Sequence, residues 1–316
     1  MDITTIAVIG GSGFVGRHLC HRLAAEGYRV RVATRDRERA KDSLIFLPTV
    51  EVESVNVHDP QELEGFIRGA DAVVNLVGVL HDGGGLESFQ AAHVDLAGKM
   101  VSACRNTRVA RLLHMSALHA DRSGPSNYLR SKAEAETVVR DSGLAWTIFR
   151  PSVIFGRGDR FLSLFSELLG VFPVMFLACP NARFQPVFVE DVAEVFARSL
   201  ADPASAGMSY ELCGPTVYRL RDLIEMVGAV TGRRRPVIGL NDTLSYWQAC
   251  AMELLPVKLM TRDNYRSMQV SSVCDCAFPF GVRPTPLEAI APTYLAQRTP
   301  RQRYQWMRSQ ARRSER

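Results

Sequence analysis

Three side chains in the first half of the chain have the types and spacing for proton chemistry: Ser116, Tyr128 and Lys132. Tyr128 and Lys132 stand four apart, so a helix places them on one face. An ammonium beside a phenol favours the phenolate and lowers its pKa toward the working range. Such a phenol exchanges a proton with a substrate hydroxyl or carbonyl, while Ser116 hydrogen-bonds the same oxygen. Tyrosine and lysine recur on any solvated helix, so the pair draws its weight from what precedes it.

What precedes it is a glycine-rich turn. Residues 6–16 read IAVIGGSGFVG. Four apolar residues run into Gly10, Gly11, Ser12, Gly13, Phe14, Val15 and Gly16, and an amphipathic segment follows at once. Gly11, Gly13 and Gly16 give one glycine spacing, and Gly10, Gly13 and Gly16 another. A buried strand, a tight turn and a helix N-terminus form a phosphate cradle: the backbone approaches a pyrophosphate, whose charge meets free amides and the helix dipole. The alternative is a structural strand-to-helix turn.

The elements that must position these residues follow in order. A helix over about 16–26 ends at Gly27, and residues 28–34 alternate as a second strand. That strand ends beside Arg35, which suits a 2′-phosphate, and Asp36, the rival, which suits a free 2′-hydroxyl. The spacing favours NADP(H) and leaves NAD(H) open. A third strand over 50–57 brings Asn56 and Val57 toward the adenine end, and Asp59-Pro60 then caps a helix. A fourth strand over 72–77 ends at Leu76, Val77 and Gly78, near the cofactor. The polar loop 81–85 is a candidate lid. A helix over 89–106 and a strand over 111–116 lead to Ser116. Strands and helices alternating at this length predict an α/β fold with a doubly wound parallel sheet.

Taken together, GGSGFVG, NLVG at 75–78, Ser116, YLRSK at 128–132, RPSVIFG at 150–156 and PVFVEDVA at 186–193 resemble the short-chain dehydrogenase/reductase superfamily, in its extended or atypical branch. The resemblance covers about the first two thirds of the chain and implies a Rossmann domain. It implies cofactor contacts at Gly10, Gly13, Phe14, Val15, Gly16, Arg35, Leu76, Gly78, Tyr128, Lys132 and Pro151, with Lys132 on the nicotinamide ribose. VVNLVGVL, FRPSVIFGRGDRF and TRDNYRSMQV are similar to the NADPH-carrying accessory subunit of respiratory complex I and its bacterial relatives, in which the fold holds a nucleotide. Two departures from the enzymatic branches bear on turnover. Asp95 stands where many active members carry an asparagine that supports a proton relay, and Asn56 replaces the usual adenine-binding aspartate.

The expected organisation is a dinucleotide-binding domain over 1–156, a smaller, partly helical C-terminal lobe over 157–296 with 186–200 returning to the first domain, and a tail over 297–316. The run 161–178 reads as a buried helix and turn, or as a greasy wall for a lipid-like or quinone-like molecule. Residues 246–260 invite the same two readings, and Arg233 to Arg235 reads as a solvated basic turn. The chain's 316 residues are 47% hydrophobic and 22% charged, as in an ordinary soluble protein. No signal peptide or membrane span is evident. Seven scattered cysteines without a CxxC pair predict reduced thiols, no metal site and a cytoplasmic location.

The net charge of +5 is uneven. Residues 297–316 carry seven arginines against Glu315, a net +6 that leaves the remainder at −1. Such a tail is a solubilising end, or docks on an anionic membrane face, peripherally on the inner side, or on an acidic partner. No nucleic-acid fold accompanies the charge. Three functions follow: an accessory or assembly protein of complex I, an active NADPH-dependent reductase, epimerase or dehydratase acting on a hydrophobic substrate, or a redox sensor whose NADP(H) occupancy governs partner binding. A dimer through the helices over 88–105 and 126–140 is compatible with each.

Overall fold

The computed structural model describes residues 3–37, 44, 46–255 and 259–296. The arginine-rich tail lies outside them. In chain order the elements are β1 (Thr5–Ile9), α1 (Phe14–Ala25), β2 (Arg29–Thr34), β3 (Val50–Ser54), α2 (Pro60–Ile67), β4 (Ala72–Asn75), α3 (Leu96–Thr107), β5 (Arg111–Met115), α4 (Asn127–Arg140) and β6 (Ala145–Pro151). There follow β7 (Ile154–Phe155), α5 (Phe161–Val171), β8 (Met175–Leu177), β9 (Arg183–Phe184), β10 (Val187–Phe188), α6 (Val189–Ala201) and β11 (Met208–Leu212). The chain continues through β12 (Tyr218–Arg219), α7 (Leu220–Val230), β13 (Val237–Gly239), α8 (Asp242–Glu253), α9 (Arg262–Ser267) and α10 (Leu287–Leu295). Two compact units result. One takes Met1–Ser152, Val189–Leu212 and Cys274–Arg283, and the other Val153–Phe188, Cys213–Val273 and Pro284–Arg316.

The first unit is built on a seven-stranded sheet in the order β11-β6-β5-β4-β1-β2-β3. Every neighbouring pair is parallel. This is the doubly wound order, in which the winding reverses between β1 and β4 and opens a crevice at their carboxyl ends. Helices cover both faces, which is why Ile6, Ala7, Val8 and Ile9 are all buried rather than alternating. On one face Leu63, Phe66 and Ile67 of α2 and Leu96, Met100 and Cys104 of α3 close a core with Ala135 and Val139 of α4. On the other, α1 pairs with α6, where His18 Nδ1 lies 2.5 Å from Glu190 and Arg22 is ion-paired with Glu194.

Local chemistry sets the helix starts. Asp59 accepts from the amides of Gln61 and Glu62, with Pro60 opening α2. Ser126 accepts from the Leu129 amide and so starts α4 just before Tyr128. The continuous helix expected over 89–106 differs: a π-helical turn, Gln90–Asp95, precedes α3. The wider turn buries Ala92 and His93 and leaves Asp95 exposed.

The second unit gathers its own core from Leu162 and Leu169 of α5, Leu223, Ile224 and Val227 of α7, and Leu287, Ala291 and Leu295 of α10. Its ladders are short: β7 with β10 and β8 with β13 are parallel, and β9 with β12 is antiparallel. Asp222 accepts from the Arg219 amide at the start of α7. The apolar run over 161–178 splits into α5 and β8, with Val171, Phe172 and Phe176 exposed rather than buried. Arg233 is no free loop residue either, since its Nη1 donates to the Ser166 carbonyl at 3.0 Å.

Candidate functional site

The glycine turn lies at the sheet's switch point. Gly10 has φ +85, and a Cβ there would stand 3.1 Å from the Leu76 carbonyl carbon and the Val77 nitrogen. The Leu76 amide donates to the Ile9 carbonyl at 2.9 Å, which holds the ends of β1 and β4 side by side. Gly16 is the tightest position: an added Cβ would fall 2.3 Å from the Gly10 carbonyl oxygen and 2.5 Å from Gly11 Cα. Helix α1 is thus seated directly on the loop, with Gly13 as its N-cap, no side-chain cap and no acid in its first turn. An uncapped, acid-free N-terminus beside a close-packed backbone loop fits a dinucleotide's pyrophosphate.

Lys132 reaches from α4 beneath these strand ends. Its ammonium donates to the Met115 carbonyl at 3.2 Å and the Val77 carbonyl at 3.5 Å. A Cβ on Gly78 would stand 3.2 Å from Nζ, so glycine leaves the lysine room. Burial lowers the Lys132 pKa to about 8, against an opposing pull from Glu136 one turn on. Glu136 is held by Arg150 through contacts of 2.8 and 2.6 Å.

Tyr128 does not behave as the spacing alone suggests. Burial pushes its phenol up to about 12, and two of the lysine's three N–H donors go to backbone carbonyls. The ring is fixed by edge contacts with Phe89 and His93, at centroid distances of 6.0 and 5.8 Å. Ser116 follows β5 directly, with its amide on the Phe149 carbonyl at 2.7 Å. Its hydroxyl is buried and has no hydrogen-bond partner among the described residues. A buried hydroxyl costs stability unless it is paired. It therefore fits an oxygen brought by a ligand.

Two buried histidines went unseen in the sequence. The Val79 amide donates to His93 Nε2 at 3.1 Å, so Nδ1 carries the proton and donates to Ser131 Oγ at 2.8 Å. The Ser131 hydroxyl in turn donates to the Tyr128 carbonyl at 2.9 Å. His93 is thus a neutral strut between the loop after β4 and the first turn of α4. Burial and Lys132 hold its pKa at about 2. Asp95, which stands where many active members of the resembled superfamily carry an asparagine, is exposed and accepts from Gln90 at 3.1 Å, while His93 is buried. The second histidine, His114, takes the Asn75 amide on Nδ1 at 3.0 Å, since Asn75 Oδ1 already accepts from Val77. Its Nε2–H is buried without a partner among the described residues. The signal for both was a histidine on an otherwise apolar buried stripe, one before α3 and one inside β5.

The remaining expected positions vary. Arg35 is exposed at the end of β2, 3.5 Å from Glu87 beyond the glycine loop 83–85. The Asp36 amide donates to Thr34 Oγ1 at 3.2 Å. Asn56 is exposed and gives its side-chain oxygen to the His58 amide at 3.2 Å, and Val57 packs half-buried on the α2–α3 core. Pro151 ends β6, and its carbonyl accepts from Leu118 at 3.0 Å. The thiol expectation holds for Cys20, Cys104, Cys179, Cys250 and Cys276, which are free. Cys213 and Cys274 are the exceptions, being disulfide-bonded. Glu211, Cys274 and Cys276 also bring ligand atoms within 4.8 Å of one another, a grouping the sequence did not suggest, though a bonded Cys274 offers no thiolate.

Strand order and glycine turn are those of a dinucleotide-binding α/β protein. Residues 10–159 match a family model described as NAD(P)H-binding, and the chain belongs to the same NAD(P)H-binding family as the curated relative it matches at 33% identity. It is 29% identical to the mitochondrial NADH dehydrogenase (ubiquinone) 1 alpha subcomplex subunit 9 of Mus musculus, over 96% of this chain and 82% of that one. It is 33% identical to a ceramide reductase of Caulobacter vibrioides, over 75% of this chain and 74% of that one. Among solved structures, an NADPH-dependent quinone oxidoreductase of Escherichia coli in complex with NADPH shares the fold, with TM-score 0.73 and 18% identity over 92% of this chain and 99% of that one.

Proposed function

We propose that this chain is an NADP(H)-holding accessory or assembly protein of respiratory complex I, peripheral to the membrane. The observation that carries the reading is the state of the Tyr128–Lys132 pair. The ammonium is anchored to the Val77 and Met115 carbonyls, where it supports a grip on a ribose, and burial pushes the phenol up to about 12. The likeness to a complex I subunit over nearly the whole chain supports the same reading.

The bound group would supply a hydride-carrying nicotinamide. Gly10, Gly13 and Gly16 would hold its pyrophosphate, and Lys132 its ribose. Arg35, exposed and cationic at the end of β2, supports the phosphorylated cofactor. Native mass spectrometry of the purified protein tests the binding: a copurifying nucleotide bearing the 2′-phosphate is expected, and an unphosphorylated one overturns the preference. Deletion tests the assignment, with reduced complex I assembly expected and unchanged assembly refuting it.

The buried, unpaired Ser116 hydroxyl favours a second reading, a reductase acting on a carbonyl of a hydrophobic substrate. A reductase relative at 33% identity supports it. Loss of turnover in Tyr128→Phe with cofactor affinity retained is the expected signature, and unchanged turnover removes the tyrosine from the mechanism.

A further inference from the structure

The apolar surface of the second unit is collected where three segments meet. Phe176 of β8 and Ile238 of β13 are register partners, and both are exposed while Met175 and Leu177 face the core. Val171, 74% exposed, and Phe172 end α5 beside them: the Met175 amide donates to the Pro236 carbonyl at 2.9 Å, and Arg235 Nε to the Leu169 carbonyl at 3.4 Å. Helix α8 packs its Ser245 and Ala249 face inward, and Gln248 donates to the Phe176 carbonyl at 2.9 Å. Its outer face then shows Leu244, Trp247, Ala251 and Leu254, with Trp247 64% and Leu254 87% exposed. Those positions recur at three and four residues, so an apolar stripe lies on the side turned away from the core. The amphipathic pattern runs opposite to that of a core-packed helix.

A run of basic charge borders this surface, with Glu167 of α5 as an exposed acid one turn before Val171. Arg233, Arg234 and Arg235 precede β13, and none pairs with a carboxylate among the described residues. The acids of α8 are committed elsewhere: Glu253 to Arg262 at 2.8 Å, and Asp242 to the Tyr265 hydroxyl. Aromatic and aliphatic side chains beside arginines that lack a carboxylate partner match the boundary of an anionic bilayer, where rings sit at headgroup level and guanidiniums meet phosphate. At 12 residues α8 is about 18 Å long, too short for a hydrocarbon core of about 30 Å. Indeed no described helix is long and apolar enough to cross a membrane. The geometry points to a helix lying in the interface.

We therefore propose that α8, the β8–β13 ladder and Arg233 to Arg235 form a docking surface for an anionic lipid bilayer. The test is flotation of the full-length protein with vesicles of phosphatidylcholine alone and with added phosphatidylglycerol. Wild type should float with the mixed vesicles and far less with the neutral ones. Phe172→Ser with Trp247→Ser should lower partitioning about tenfold, and Arg234→Glu about fivefold or more. All these side chains are exposed, so melting temperatures should not move. Wild type that fails to float overturns the proposal. So does a serine double variant that floats like wild type, because the basic tail would then carry the binding alone. Light scattering that shows a wild-type dimer and a monomeric serine variant overturns it too, by making a second copy the occupant.

Discussion

A lysine buried at the heart of a binding site should leave a measurable mark on stability. Lys132 is 3% exposed, and its pKa falls from 10.5 to about 8 on folding. The unfolded chain therefore holds this proton up to about pH 10.5, and the folded chain only to about pH 8. Between those values the unfolded state binds more protons, so stability rises with pH; it is lost again as pH falls through 8. At neutrality the full penalty is about 3 kcal/mol, of which about 2 kcal/mol is recovered by pH 9.5. Lys132→Met removes the titration. The stability gap between wild type and variant should thus move by about 2 kcal/mol in favour of wild type from pH 7 to 9.5. Groups that titrate identically in both proteins cancel in that difference. Urea unfolding followed by Trp146 fluorescence, with Trp247 and Trp306 replaced by Phe, reads the first unit, since Trp146 lies in β6 beneath Arg140. Two unfolding curves that shift in parallel across this range would refute a costly buried ammonium.

Other perturbations separate binding from folding. Gly16→Val forces a side chain into the Gly10 and Gly11 backbone, and the loop must give way; copurifying nucleotide should be lost while the second unit still folds. Ser116→Ala deletes an unpaired buried hydroxyl, so apo stability should stay within about 1 kcal/mol or rise; a larger loss in calorimetry would show a structural partner. Glu136→Gln strips Arg150 of its charged partner and should cost about 3 kcal/mol in urea unfolding. The same change lowers the Lys132 pKa further, moving its stability window to lower pH.

Much of the first unit was legible because its signals are local. Four apolar residues before the glycines mark a strand buried on both faces, and Asp59-Pro60 marks a helix start without reference to the rest of the chain. Tyr128 and Lys132 share a helix face by spacing alone. The phenol's raised pKa was not legible, because it comes from burial, and Phe89 and His93 pack on the ring from another element. The burial of His93 rather than Asp95 was hidden for a related reason. A π-helical turn changes which residue faces inward, and residue spacing read at the α-helical period passes over it. The greasy stretches at 161–178 and 246–260 carried the same ambiguity. Composition marks them as apolar but cannot say which side of the helix finds a core.

The energetic features of the nucleotide site share one origin. Lys132 is charged where charge is costly, Ser116 holds a hydroxyl without a partner, and His114 keeps an N–H with no acceptor. Each lowers the stability of the folded chain, and a core selected for stability alone would replace them with apolar groups of similar volume. They stand within one region, where the ends of β4 and β5 meet α4 and the π-helical turn. The nearby strut, by contrast, is fully satisfied: both His93 nitrogens and the Ser131 hydroxyl are bonded. An unsatisfied set braced by a satisfied one is the arrangement of a preorganised site, in which folding pays in advance for contacts that a ligand completes. Removing the strut should therefore weaken nucleotide affinity more than it weakens the fold. His93→Asn, measured by cofactor titration beside urea unfolding, distinguishes the two: a larger loss in binding supports preorganisation, and equal losses reduce His93 to a core residue.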